Sequence, residues 1–290
     1  MSVFPHHPPE LTDMTTSTPS RKIAYGLYGT GGCARGAMPL LAAHIATLAK
    51  RDPHTLHEVF FVDVKLSGPT INGYPALSEK DFLALDHGRK YYNVAIANSR
   101  IRERVVRDME AAGVAPISVI APDVLTYDAV HIGEGALLNA RTIITSNIQI
   151  GRHFHCNLAS YVSHDCVIGD FVTFAPNVHC NGNIHIHDHV YVGCGAMLKQ
   201  GTPDQPLVIG EGAIIGMGAV VIQDVPPYTT VVGVPARPLK HREKTLPTHI
   251  PAHALSRRDR SPLDSVQTEI RGGEHFETAY EHIYRSGTGQ

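Results

Sequence analysis

The sequence of 290 residues has no tryptophan, no apolar run long enough to cross a membrane and no pair of cysteines in CxxC spacing. Because a spanning helix needs about 18 or more consecutive apolar residues, the sequence predicts no membrane span. The first 20 residues lack the basic start and apolar core of a signal peptide, so we do not expect export. Five cysteines in this context predict reduced thiols and a cytoplasmic protein.

The charges are nearly balanced, because the sequence has 25 Lys and Arg residues and 27 Asp and Glu residues, which gives a net charge of -2. This balance gives no electrostatic reason to expect nucleic acid or an anionic membrane as a partner. Both ends of the chain are rich in polar residues and proline. Residues 1–20 therefore predict a disordered lead-in, and residues 241–290 predict a mostly flexible C-terminal extension.

Residues 21–115 alternate apolar strands with helical segments, which is typical of a small α/β domain with a parallel sheet. A glycine-rich turn, Gly29 to Gly32, follows the first strand and opens a helix, the setting in which backbone N–H groups bind a phosphate. Asp63 ends the second strand, where a carboxylate can bind a ribose or a base. These features fit NAD and a nucleotide sugar equally. Because no second half of a dinucleotide fold follows, we expect a single nucleotide diphosphate.

Residues from about 130 to 235 carry a six-residue repeat. This period is the signature of a parallel β-helix, a β-solenoid in which three hexads make one triangular coil and residues 18 apart stack in a column. One position of each hexad must be apolar because it points into the core. Twelve consecutive positions, six residues apart, are all apolar: Ile132, Leu138, Ile144, Ile150, Cys156, Val162, Ile168, Phe174, Cys180, Ile186, Val192 and Leu198.

The repeat is interrupted once, after Leu198. It resumes at Ile209, and the step from Ile186 to Ile209 is one coil of 18 residues plus five. The extra residues must leave the stack as a loop at about residues 199–207. Long loops on a rigid scaffold are often functional.

The hexads, the segment VSHDCVIGD (residues 162–170) and the closing GVPAR (residues 233–237) resemble bacterial sugar acyltransferases of the sialic acid O-acetyltransferase and bacillosamine N-acetyltransferase type. The resemblance covers roughly residues 21–240. It implies a Rossmann-like nucleotide-sugar domain (21–115) followed by a left-handed parallel β-helix (116–240) that binds acetyl-CoA, assembled as a homotrimer. The left hand comes from this resemblance, because the period alone does not set it.

His164 is the candidate catalytic residue. It lies between the inward-facing Val162 and Cys166, so its side chain should point away from the core, and its column neighbours Ser146 and Gly182 are small. An imidazole titrates near neutral pH and suits the task of taking a proton from the acceptor as it attacks the thioester. The alternative for any single histidine is a solvated surface residue, but motif and register favour the base.

Asp165 follows His164 directly, and a carboxylate beside the ring can orient it and raise its basicity. The resemblance implies the same two roles and adds Asn157 as a third active-site residue. We expect direct transfer without an acyl-enzyme, because the thioester is already activated. The backbone N–H of Gly182 can stabilise the oxyanion that develops.

The resemblance also implies two sets of binding residues. The coenzyme A set is Thr173, Gly182, Cys194, Gly216 and Met217, with Thr173 standing where some members have histidine. The nucleotide-sugar set is Gly31, Gly32, Cys33, Asp63, Val64, Ala97 and Asn98. Cys33-Ala34 stand where the usual family turn has His or Phe followed by Gly.

A metal site is the alternative use of the many histidines. His153 and His189 share a column, but two coils of about 4.8 Å separate them by roughly 10 Å, whereas a Zn–N bond is about 2 Å. We therefore expect no metal. His185, His187 and His189 are predicted to be exposed turn residues.

The sequence therefore predicts an acetyl-CoA-dependent N-acetyltransferase that acts on a nucleotide-linked amino sugar in surface polysaccharide synthesis. O-acetylation of a sialic acid or another sugar hydroxyl uses the same base, and the sequence does not separate the two. A non-catalytic β-helix used for assembly or sugar sensing is the alternative of a different class. The intact His164–Asp165 pair argues against it.

Overall fold

The computed structural model describes residues 21–239, so the predicted lead-in and the C-terminal extension lie outside the described residues. The described residues up to Arg237 belong to one compact unit. A mostly parallel sheet with three helices comes first and is followed by a parallel β-helix.

The sheet domain has the alternation that the sequence predicts. Its strands lie in the order β3-β4-β2-β1-β5-β6, parallel except for the β3–β4 pair. The chain runs outward from β1 to β2 and returns to β5 on the other side of β1, so the carboxyl ends of β1 and β5 form a switch point where ligands bind in such sheets. The elements are β1 (Arg21–Tyr28), α1 (Gly32–Arg51), β2 (Thr55–Val62), β3 (Thr70–Ile71), β4 (Tyr74–Leu77), α2 (Glu79–Ala84), β5 (Arg89–Val94), α3 (Ser99–Ala111) and β6 (Ala115–Pro116).

Short polar side chains begin two of the helices. Ser78 accepts a hydrogen bond from the Asp81 N–H at the start of α2. Asn98 accepts from the first N–H groups of α3, and Gly113 follows that helix with φ +71°, a conformation that glycine adopts without a steric cost. By contrast α1 has Gly31 at its N-cap and no side-chain cap. Its first-turn N–H groups are therefore left for another acceptor.

The β-helix has three flat faces, each a sheet of short parallel strands. The first face contains β7 (Val119–Ile120), β10 (Leu137–Leu138), β13 (His155–Cys156), β16 (Thr173–Phe174), β19 (Tyr191–Val192), β22 (Ile214–Ile215) and β24 (Thr230–Val232). The second contains β8 (Leu125–Thr126), β11 (Ile143–Ile144), β14 (Tyr161–Val162), β17 (His179–Cys180), β20 (Met197–Leu198) and β23 (Val220–Val221). The third contains β9 (Val130–Ile132), β12 (Ile148–Ile150), β15 (Val167–Ile168), β18 (Ile184–Ile186) and β21 (Leu207–Ile209). The final strand, β25 (Arg237–Pro238), belongs to the first face and lies beside β24.

The six-residue register is confirmed by the core. Residues 18 apart pair across neighbouring coils, as Cys156 does with Phe174, and every hexad residue from Leu138 to Leu198 is at most 2% exposed. Coiling starts earlier than the repeat indicates, because β7 at Val119 already pairs with β10. Thr126 stands where the pattern needs an apolar residue, which hides this first coil in the sequence.

Three corners connect the faces in each coil. The first corner follows the first face along the chain, the second corner follows the second face and the third corner follows the third face. Each corner from residue 141 to residue 189 has one residue other than glycine with φ between 53° and 62°, a conformation that is uncommon for such residues. These residues recur every six positions: Arg141, Asn147, His153, Ala159, Asp165, Phe171, Asn177, Asn183 and His189. The hand of the coil stays a prediction from the resemblance.

The interrupting loop lies at the second corner, where the sequence predicts it. Gly201 N–H donates to the Gly182 carbonyl at 3.0 Å, and Leu207 N–H donates to the Asn183 carbonyl at 3.1 Å. Between these anchors residues 202–205 form an exposed turn closed by reciprocal hydrogen bonds between Thr202 and Gln205. The stack therefore continues undisturbed beneath the loop.

Candidate active site

His164 and Asp165 form a hydrogen-bonded pair at the second corner. Asp165 has φ +57°, and its Oδ2 lies 2.7 Å from Nδ1 of the His164 ring. The His164 side chain is 45% exposed, as its outward register predicts. Because an ionised carboxylate can only accept, Nδ1 carries the proton and Nε2 is the free acceptor.

Asp165 is held from a second direction. Its Oδ1 accepts a hydrogen bond from Asn147 Nδ2 at 3.1 Å, one coil earlier. The hydrogen bonds from His164 and Asn147 lower the pKa of Asp165 below its ordinary value. The carboxylate therefore stays ionised at neutral pH and can orient the imidazole.

The His164 ring lies against Gly182 in the next coil. A Cβ at position 182 would lie 2.5 Å from ring carbon Cε1 and 2.7 Å from Nε2, distances that only the absence of a side chain allows. Among the described residues the Gly182 N–H donates no backbone hydrogen bond, while its carbonyl accepts from Gly201. A free N–H thus lies beside the candidate base.

The other predicted residues of the β-helix domain lie elsewhere. Asn157 is at the first corner, where its amide donates to the Phe174 carbonyl at 2.8 Å and accepts from Asn139 at 3.0 Å. Its hydrogen bonds include none to His164. Within one chain the structure therefore does not bring Asn157 to the His164–Asp165 pair.

Cys194, Gly216 and Met217 share the first corner with Asn157. Gly218 N–H donates to the Cys194 carbonyl, and a Cβ on Gly193 would lie 2.6 Å from the Met217 nitrogen, so these coils are in contact. The Met217 side chain is exposed, and Gly216 is buried against Val232. The predicted coenzyme A residues thus divide between two corners, with Gly182 at the second.

Thr173 departs from the predicted arrangement. It lies outward on the first face, but the sheet domain covers it and it is 2% exposed. Its Oγ1 accepts from Arg102 at 3.0 Å and donates to the Ala97 carbonyl at 3.4 Å. A buried hydroxyl with both partners inside the protein is not available to coenzyme A, and we leave Thr173 out of that site.

The predicted nucleotide-sugar residues lie together at the carboxyl edge of the sheet. Gly31, Gly32 and Cys33 follow β1, Asp63 and Val64 follow β2, and Ala97 and Asn98 follow β5. A Cβ on Gly31 or Gly32 would meet nothing within 4 Å, so the turn borders open space. Thr30 Oγ1 donates to Asp63 Oδ2 at 2.8 Å and ties the first two segments together. Burial raises the pKa of the Cys33 thiol and keeps it protonated.

The histidines at the third corner form a stack. The ring of His153 lies between Tyr92 and Phe171, with centroids 6.0 and 5.4 Å away, and His189 stacks on Phe171 at 5.3 Å. The prediction of an exposed turn residue is confirmed for His187, whereas His185 is exposed but lies in strand β18. The prediction for His189 is wrong because its ring is buried in the stack.

No three or more His, Cys, Asp or Glu side chains of residues 21–239 are arranged to hold a metal ion. No helix in the same range has the length and apolar character needed to cross a membrane.

Sequence reasoning missed Arg102 and His155, two buried polar residues where the sheet domain meets the first face. Arg102 lies on the buried side of α3 with Ser99, Val106 and Met109. A signal for Arg102 was present, because the helical spacing of these residues puts a cation on an apolar face. No such signal exists for His155, whose outward register predicts exposure.

The exposed His164–Asp165 pair on a parallel β-helix of hexads is the arrangement that the resemblance to bacterial sugar acyltransferases predicts. No family model matches the chain. GDP-perosamine N-acetyltransferase of Escherichia coli O157:H7 is 47% identical over 216 residues, which are 74% of this chain and 96% of that protein. The chain belongs to this family of bacterial sugar acetyltransferases, which confirms the resemblance found in the sequence.

Two solved structures are similar to this chain in both fold and sequence. WeeI from Acinetobacter baumannii AYE is 52% identical with a TM-score of 0.70, covering 75% of this chain and 100% of that one. The acetyltransferase domain of PglB from Neisseria gonorrhoeae FA1090, in complex with acetyl coenzyme A, is 30% identical with a TM-score of 0.63, covering 76% and 99%.

Proposed function

We propose that this chain transfers the acetyl group of acetyl-CoA to the amino group of a GDP-linked amino sugar of the perosamine type. The relative with 47% identity is named for GDP-perosamine, and a solved relative holds acetyl coenzyme A. The His164–Asp165 pair carries the proposal, because it supplies a base with a free Nε2 on an exposed corner.

The proposed reaction is one direct transfer. The sugar amine attacks the thioester carbonyl while Nε2 of His164 takes the proton that the nitrogen loses. The C–N bond forms, the C–S bond breaks, and the imidazolium returns its proton to the leaving thiolate. Asp165 stabilises the imidazolium through Nδ1–H, and the Gly182 N–H donates to the oxygen that gains negative charge.

The division of the predicted site between two corners supports a homotrimer. His164 and Gly182 lie at the second corner, whereas Asn157, Cys194, Gly216 and Met217 lie at the first. Two copies can complete one site if the first corner of a neighbour meets the second corner of this chain. The second face between these corners carries exposed apolar side chains, including Leu125 and Met197, that a neighbouring copy would cover.

The open edge of the sheet domain is the proposed nucleotide-sugar site. The uncapped first turn of α1, with Gly31 and Gly32 beside open space, offers N–H groups to the diphosphate. Asp63 and the segment at Ala97 and Asn98 would border the nucleoside.

We further propose that the sheet domain is Rossmann-like and that the β-helix is left-handed. We also propose that the protein acts in the cytoplasm, on a precursor of surface polysaccharide.

Purified full-length protein tests the function directly. It is incubated with acetyl-CoA and a panel of GDP-, UDP- and dTDP-linked 4-amino sugars, and thiol release and product mass are measured. We expect transfer to the GDP-linked amine, giving a product stable to hydroxylamine, which cleaves esters but not amides. A GDP-sugar with a hydroxyl in place of the amine is the matched control. Acetylation of that control would favour O-transfer, and no acetylation of any sugar would favour the non-catalytic alternative.

A further inference from the structure

Arg102 is a cation that lies fully buried between the sheet domain and the β-helix. It is 0% exposed, and among the described residues no carboxylate forms an ion pair with it. Its guanidinium donates to carbonyls on both sides, through Nη1 to Ile96 at 2.7 Å and through Nη2 to Phe171 at 2.5 Å. Burying an unpaired charge is costly in free energy. If residue 102 only packed the sheet domain against the β-helix, an apolar side chain would stabilise that contact better.

Two side chains of the first face complete this cluster. His155 Nε2 lies 2.8 Å from the Val94 carbonyl, and its Nδ1 lies 3.4 Å from Nη1 of Arg102. Burial lowers the pKa of His155 well below its ordinary value. The neutral ring therefore donates from Nε2 and accepts at Nδ1. Thr173 Oγ1 accepts from Nη2 of Arg102 and donates to the Ala97 carbonyl.

Each of the three side chains has a hydrogen bond to one segment of the sheet domain. The carbonyls of Val94, Ile96 and Ala97 belong to the chain that leaves β5. This segment ends at Asn98, the N-cap of α3, and α3 carries Arg102 itself. The hydrogen bonds thus hold one border of the open edge at a fixed place relative to the β-helix.

We propose that Arg102, together with His155 and Thr173, is a positioning cluster that aligns the nucleotide-sugar pocket with the acetyl-transfer corner. The inference rests on the proposed function and concerns only the sugar substrate. The cluster contacts neither His164 nor the first-corner residues. It therefore acts on binding of the nucleotide sugar and not on coenzyme A or on the chemical step.

The proposed positioning role depends on the planar shape of the Arg102 guanidinium and not on its charge alone. Two nitrogens reach carbonyls of different domains at once, which a lysine ammonium cannot do with the same geometry. If only the positive charge is needed, Arg102→Lys should bind the nucleotide sugar as wild type does. If the guanidinium positions the segment at residues 94–97, Arg102→Lys should bind the sugar more weakly. Arg102→Lys therefore separates the two explanations.

The test compares steady-state kinetics of the full-length chain and four variants. In Arg102→Lys and Thr173→Val we expect KM for the GDP-linked amino sugar to rise about tenfold, equivalent to about 1.4 kcal/mol. KM for acetyl-CoA and kcat should stay within about twofold of wild type. Thr173→Ser restores the hydroxyl and should restore KM.

Arg152→Lys is the matched control. Arg152 of the β-helix also contacts α3, through an ion pair with Glu110, and pairs with Glu134 within the β-helix. Its side chain has no hydrogen bond to a carbonyl of residues 94–97. It should leave all three kinetic constants unchanged. Thermal melting of each variant is measured alongside.

Two results would overturn the inference. One is wild-type KM for the sugar in Arg102→Lys and Thr173→Val. The other is a parallel loss of kcat, of both KM values and of melting temperature, which would mean a structural role only. If wild-type protein acetylates no nucleotide amino sugar, the proposed function fails instead, and the kinetic comparison is not reached.

Discussion

The imidazole of His164 lies directly against Gly182 of the next coil. A Cβ on Gly182 would come within 2.9 Å of three ring atoms, Cε1, Nε2 and Nδ1. Glycine at this position therefore leaves the space that the His164 ring occupies, and its own backbone conformation does not call for glycine. The contact also brings the free Gly182 N–H close to the proposed base.

Gly182→Ala should displace the imidazole and misplace the base. We expect kcat to fall at least about tenfold, with little change in the melting temperature because the ring can swing into solvent. Gly36→Ala is the control, since a Cβ there meets nothing within 4 Å. In the interior of α1 this change should add about 0.5–1 kcal/mol to stability and leave activity unchanged. Equal activity in both variants would contradict the proposed placement of the base.

His164→Asn removes the proposed base and keeps a polar side chain of similar size. The rate should fall about 10²- to 10⁴-fold, while calorimetry should still detect acetyl-CoA binding. Asp165→Asn should cause a smaller loss, because it removes orientation of the ring and not the ring itself. His187→Asn, on an exposed histidine of the third corner, is the control and should be fully active. Undiminished turnover in His164→Asn would refute the mechanism.

His153 makes the stability of the protein depend on pH. Burial lowers the pKa of His153 to about 3, whereas an unfolded histidine titrates near 6.5. Between these values the unfolded chain binds a proton that the folded chain does not. The free energy of unfolding should therefore fall by about 1.4 kcal/mol per pH unit, from this group alone, as the pH drops below about 6.5.

His153→Phe removes this dependence and two buried ring nitrogens that have no hydrogen-bond partner. Phe171 already occupies the next position of the stack with a similar positive φ, so phenylalanine fits the corner. Urea unfolding at pH 7 and pH 5 should give a smaller difference in stability for the variant than for wild type. Phe171→Leu disturbs the same stack without removing a titrating group, so it should keep the wild-type difference. An unchanged difference in His153→Phe would show that His153 is not the source.

Met197→Lys tests the proposed trimer. Met197 points outward from the second face and is 45% exposed, so its replacement should cost little within one chain. A charge at this position of each copy should prevent association, and light scattering should report a monomer without acetyltransferase activity. Leu56→Lys is the control, because it also places a lysine at an exposed apolar position, near the start of β2 and away from the second face. This variant should remain trimeric. A trimer in Met197→Lys would exclude the second face as the interface.

Much of the β-helix could be predicted from the sequence because the orientation of its side chains is local. A hexad position faces the core or the outside according to its place in the coil, so Phe174 and the exposed side of His164 were both predictable. The loop after Leu198 was found for the same reason, as an interruption of the register. The six-residue pattern alone does not extend to the first coil, because Thr126 breaks it at an exposed position, whereas the resemblance placed the start of the β-helix domain at residue 116.

The errors at Thr173 and His189 have a common cause. Both residues were assigned from register or from resemblance, and both lie on the outside of the β-helix. The sheet domain covers one, and the ring of Phe171 and α3 cover the other. The hexad pattern places Phe171 one coil before His189, but it contains no information about the sheet domain, whose residues Arg102 and Glu103 come from a distant part of the chain.

The sequence by itself determined the period of the coil, the composition of its core, the caps of α2 and α3 and the adjacency of His164 and Asp165. Each of these depends on residues close together in the chain. Only the tertiary structure decided that Arg102 is buried beside Thr173 and that α3 covers His189. Those relationships depend on which surfaces meet after folding, and packing between distant segments is what sets them.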